Sequence, residues 1–126
     1  MSSEYTEPVY IEVLRECSAQ LEQWGEQNHP MLDPILLKRP GGCGPARMAN
    51  EYEVPTETRA RGLLERAAEK SELTYMHILL EEVCEAIACL DDEKAMRGEL
   101  IQVAAVAISM VEAIDRQESL EAENDE

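Results

Sequence analysis

The residues best placed to do chemistry lie in the segment LLEEVCEAIA, residues 79–88, where Glu81, Glu82 and Glu85 interrupt an apolar run. On a helix turning about 100° per residue, Glu81 and Glu85 fall nearly on one line, with Glu82 about 60° to the other side of Glu85. The apolar stripe of Leu79, Val83, Ala86, Ile87 and Leu90 begins beyond Glu82, while Ile78 and Cys89 fall between Glu82 and Glu85. The acids therefore share a partly apolar face, where uncompensated carboxylates are costly and a cation removes the cost. Further along, Glu99 and Gln102 stand three residues apart on one helix face. Two antiparallel helices joined near Asp91 and Asp92 bring Glu82, Glu85, Glu99 and Gln102 together. Oxygen donors without His or Cys suit a hard ion, Mg²⁺ or Mn²⁺. The competing expectation is that an EExxE in so acidic a chain is a solvated helix face.

Four helices must position these residues. The apolar spacing of Ile11, Leu14, Cys17, Leu21 and Trp24 predicts a first helix over 9–27. Five of the six prolines and the run GGCG then mark a long connection, about 28–56, with little regular structure. The second helix is expected over 56–70, the third over 74–90 with Thr74 as its N-cap, and the fourth over 92–116 behind Asp91 or Asp92. Residues 117–126 read as an acidic, disordered tail beyond a single domain, 1–116.

The fold class expected is all-α: a bundle of about four helices, completed by dimerisation or higher association. Phe is absent and aromatics make up 4% of the chain, so Leu, Ile, Val, Met and Ala must build the core. Between Glu99 and Glu112 only Gln102 and Ser109 are polar. A helix apolar on all sides needs burial on all sides, more than three short neighbours supply.

The formal net charge of −16 speaks against direct binding of nucleic acid or an anionic membrane surface. The N-terminal residues lack an apolar stretch, and the run 100–111 is shorter than the roughly 20 residues a bilayer requires. Cys17, Cys43, Cys84 and Cys89 form no CxxC pair, and with only His29 and His77 beside them they read as reduced thiols in a cytoplasmic protein rather than a zinc site.

The segment LLEEVCEAIACLDDEKAMRGELIQVAAVAISMVEAID resembles the core of the MazG-like nucleotide pyrophosphohydrolases, within the all-α NTP pyrophosphohydrolase superfamily. Glu81, Glu82 and Glu85 match the EExxE half of that family's signature, and Glu99 matches the first residue of its ExxD half. WGEQNHP upstream is similar to small actinobacterial and phage members. The resemblance implies Glu82, Glu85 and Glu99 as metal ligands, with Glu81 beside them as an outer group or, like Glu82, a candidate base. At the position of the family's Asp stands Gln102, which offers a neutral carbonyl oxygen and brings no charge.

Two further groups bear on a nucleotide substrate. In WGEQNHP, Gly25 and Pro30 stop the first helix, which leaves Trp24 either packed as a capped terminus or, with His29, a stacking surface for a base. Gln27, Asn28 and His29 can reach a base edge, since an amide offers donor and acceptor together. Of the cations, Arg59, Arg61 and Arg66 are expected to pair with acids on their own helix surface, whereas Lys70 and Arg97 are the candidates for phosphate contact.

These readings lead to a Mg²⁺- or Mn²⁺-dependent hydrolase that converts a nucleoside triphosphate to the monophosphate and pyrophosphate. The rivals are a module that binds nucleotide and metal without turnover, and an acidic mimic of nucleic acid.

Overall fold

The computed structural model describes residues 7–38, 44–89 and 92–124. Arg39, Pro40, Cys43, Leu90, Asp91 and the last two residues of the acidic tail lie outside the described residues. The all-α class holds: the elements are α1 (Val9–Trp24), α2 (Pro34–Leu37), α3 (Pro45–Glu51), α4 (Glu57–Glu69), α5 (Tyr75–Ala88) and α6 (Glu93–Asn124). Among the described residues there is no strand, and no helix is long and apolar enough to cross a membrane.

Among the described residues six helices stand where about four are expected. The two additions fall in the stretch read as an irregular connection, and both begin with proline. Proline at the first helical position loses no bond, because that N–H has no partner within the helix, and its fixed φ suits the helix. Asp33 caps α2 by accepting from the Ile35 N–H at 3.1 Å, and the Asp33 N–H donates to the Tyr52 hydroxyl at 3.1 Å. The far end of the connection is thereby tied to its start.

α1 ends at Trp24, earlier than expected, because Gly25 takes a left-handed φ of 71° and turns its N–H to the Leu21 carbonyl. α6 runs on to Asn124, through the stretch read as a disordered tail. Gln, Glu, Leu and Ala are good helix formers, so nothing after Arg116 stops the helix. Gln117 and Glu121, one turn apart, share a hydrogen bond.

The described residues fall into two compact units: those of 30–107, and those of 1–29 with those of 108–126. In the central unit α5 packs on α3 and α4. Its core holds Leu32, Leu36 and Met48 with Ile87 packed against them, and Ala60, Ala67, Cys84, Ala86 and Met96 are also buried. The small residues Ala60, Ala67 and Ala86 let helices approach closely where larger side chains would hold them apart. In the terminal unit Val9 is buried, while Leu14, Leu21 and Trp24 of α1 and Val111 and Ile114 of α6 are exposed.

Candidate metal centre

Local capping places each acidic residue. Thr56 caps α4 by accepting from the Arg59 N–H at 3.2 Å, which fixes Glu57 in the first turn and Arg61 one turn on. Thr74 and His77 close a capping box at the start of α5: the Thr74 hydroxyl accepts from the His77 N–H, and His77 Nδ1 accepts from the Thr74 N–H. Glu81, Glu82 and Glu85 follow on the next two turns. α5 ends at Ala88, the Asp92 N–H donates to the Cys89 carbonyl at 2.9 Å, and Asp92 Oδ1 accepts from the Ala95 N–H. Glu99, in the second turn of α6, comes close to Glu82 and Glu85 of α5.

One carboxylate oxygen from each of Glu82, Glu85 and Glu99 lies within 4.8 Å of the other two. All three side chains are half-buried. Glu82 Oε2 is fully buried and has no hydrogen-bond partner among the described residues, a costly state for a charged oxygen. An all-carboxylate set converging from two helices, one of its oxygens buried and unpaired, fits a hard divalent cation.

The charges confirm the crowding. Burial pushes the Glu82 carboxyl above the usual range, and the charges of Glu85, Glu99 and Glu81 push the same way. Glu81 is raised by burial and by a hydrogen bond shared with Glu85, against the pull of Arg61. Glu99 is raised by a hydrogen bond shared with Glu85 and then by burial. Burial also presses Glu85 upward, but hydrogen bonds with Glu81, Glu99 and Arg61 outweigh it and hold Glu85 below the usual range. Without a cation, the cluster thus favours the charged form of Glu85 and the protonated form of its neighbours relative to a free glutamate.

Arg61, expected only to pair with acids on its own helix surface, joins this cluster. Arg61 pairs with Glu57 one turn back, and also spans to α5, with Nε 3.7 Å from Glu81 Oε1 and Nη2 3.5 Å from Glu85 Oε1. The i,i+4 pair was visible in the sequence; the reach to α5 depends on helix packing and leaves no local signature.

Gln102 is exposed on α6, one turn beyond Glu99. Arg97 is exposed and lines an apolar groove of about 470 Å³ with Met31, Met96, Leu100, Ile101 and Ala104. Lys70 is the exposed C-cap of α4. Trp24, Gln27, Asn28 and His29 lie in the terminal unit, all exposed, with Trp24 62% accessible rather than packed; Gln27 lines a hollow of about 260 Å³ beside Cys17 and Leu21.

Compared with protein-family models, curated proteins and solved structures, the chain matches none.

Proposed function

We propose that the protein is a divalent-cation-dependent nucleoside triphosphate pyrophosphohydrolase, similar to the MazG-like enzymes, acting through Glu82, Glu85 and Glu99. The observation that carries the reading is the convergence of these three carboxylates from α5 and α6 around a buried, unpaired oxygen of Glu82. The order of the acids along the chain, EExxE before Glu99, supports it.

In this reading Glu82, Glu85 and Glu99 hold Mg²⁺ or Mn²⁺, which when bound neutralises charge on phosphate oxygens. Glu81 or Glu82 accepts a proton from the attacking water, the raised affinity of both for protons bringing them nearer the range a general base requires. Attack at the α-phosphorus breaks the bond to the β-phosphate oxygen and releases pyrophosphate. Arg97 and Lys70 supply positive charge for the phosphates.

Self-association belongs to the same proposal. Leu100 and Ile101 are about half exposed in the single chain, and Val111 and Ile114 leave the later turns of α6 equally uncovered. A homodimer covers such a helix face. The chain acts in the cytoplasm, on a soluble nucleotide.

A second reading rests on Gln102: without the family's fourth carboxylate, the protein binds nucleotide and metal and does not turn over. One panel of NTPs and dNTPs, with Mg²⁺ or Mn²⁺ and scored for pyrophosphate, separates the two. Release of pyrophosphate from any of them supports the hydrolase; nucleotide binding with no release supports the binding module.

A further inference from the structure

We infer that Arg61 is an internal counter-cation, competing with the divalent ion for Glu85 and Glu81 and so raising the ion concentration at which the site fills. The inference rests on the reading of Glu82, Glu85 and Glu99 as a divalent-cation site, and adds the residue that sets its affinity.

Three observations carry it. Glu85 belongs to both groups: one of its oxygens lies within 4.8 Å of ligand oxygens of Glu82 and Glu99, and its Oε1 lies 3.5 Å from Arg61 Nη2. A guanidinium that near an ion site repels the ion, and it also neutralises part of the charge that draws the ion in. Second, Arg61 is the only Lys or Arg paired with Glu81 or Glu85 among the described residues, and its reach stops short of Glu82, whose Oε2 has no partner. Third, Arg61 is free to withdraw. Its side chain is 46% exposed, and Glu57, one turn back on α4, keeps it paired after it leaves Glu85.

An Arg61 that instead held Glu85 in position for the ion would have the opposite signature, because its loss would disorder a ligand and weaken binding. The two roles thus differ in sign. Charge is the operative property of a counter-cation, so lysine should serve nearly as well, whereas a positioning role needs the planar fork of arginine.

The test is the affinity of the full chain for Mg²⁺ by calorimetry and for Mn²⁺ by electron paramagnetic resonance, without nucleotide. Arg61→Gln and Arg61→Met, the second keeping the apolar stem, should bind either ion roughly tenfold more tightly. Arg61→Lys should stay close to the unaltered protein. Circular dichroism of each variant checks that the helices persist. Unchanged or weaker binding in both neutral variants, with the unaltered protein binding the ions, overturns this inference and leaves the site reading standing. If the unaltered protein binds neither ion, the site reading falls and takes this inference with it.

Discussion

Glu85 and Arg61 meet across α5 and α4 at 3.5 Å, and Glu85 connects that ion pair to the carboxylates of Glu82 and Glu99. Its lowered affinity for protons and the raised affinity of its neighbours follow from this position. Hydrogen bonds with two acids and one guanidinium favour its charged form, and the shared bonds favour the protonated form of Glu81 and Glu99.

Glu82→Gln tests the centre directly. The substitution removes a carboxylate whose charged form is disfavoured by burial and by three like charges. Mg²⁺ affinity should drop by roughly tenfold or more, as charged ligands are lost from an oxygen site. The metal-free protein should melt no lower than the unaltered one. A metal-free variant that loses several kcal/mol in chemical denaturation would show Glu82 to be structural.

The metal-free protein should gain stability as pH falls from neutral. Glu81, Glu82 and Glu99 bind protons more tightly folded than unfolded. Their contribution is complete below the ordinary glutamate range and is lost as pH rises through their raised values. Glu85 has the opposite sign, and its contribution disappears as pH falls through its lowered value. Thermal unfolding in EDTA should therefore show a maximum on the mildly acidic side, moving toward neutral pH with saturating Mg²⁺. Stability that declines steadily from neutral pH in EDTA contradicts the assigned directions.

Gln102→Asp adds a charge one turn beyond Glu99, at an exposed position where an aspartate needs no buried partner. Mg²⁺ should bind more tightly, because affinity in such sites rises with the number of charged ligands. Pyrophosphate release should rise if ion occupancy limits the rate. Unchanged affinity means that Gln102 does not stand where a ligand would act.

Ala105→Glu probes self-association. Ala105 lies in the apolar run of α6 and is exposed in the single chain. A carboxylate there should convert a dimer to monomer at micromolar concentration, because burying it unpaired between helices is strongly unfavourable. Sedimentation equilibrium of both proteins decides; a monomer before substitution ends the proposal of a dimer.

Gly98→Ala should stabilise the protein by about 0.5–1 kcal/mol, the usual helix-interior difference between the two residues. A methyl group at Gly98 meets no atom within 4 Å, so nothing opposes the gain. Denaturant titration measures it, and a loss of stability would mean that the face beside Glu99 is covered in solution.

The helices and their caps were largely legible because periodicity and capping are local. Thr56, Thr74 and Asp92 all cap where an N-terminal hydroxyl or carboxylate precedes an apolar pattern. The nearness of Glu82, Glu85 and Glu99 could be anticipated from the few residues between Cys89 and Asp92, which keep the adjoining ends of the two helices together. Two kinds of feature escaped. Proline read as a helix breaker concealed α2 and α3, where it opens the helix instead. The partners of Arg61 on α5 depend on which faces of α4 and α5 pack, which no residue spacing within either helix specifies.

The turn between α5 and α6 also bears on how the chain reaches its fold. Glu82 and Glu99 are 17 positions apart in sequence, so their meeting closes a small loop rather than joining distant parts of the polypeptide. Small loops close at low entropic expense, and contacts of short sequence separation form early. On the proposed reading, a cation present during synthesis would meet its three ligands as soon as this short loop closed. Like-charge repulsion within the loop would then become a barrier that the ion lowers, so Mg²⁺ should accelerate refolding as well as stabilise the folded chain.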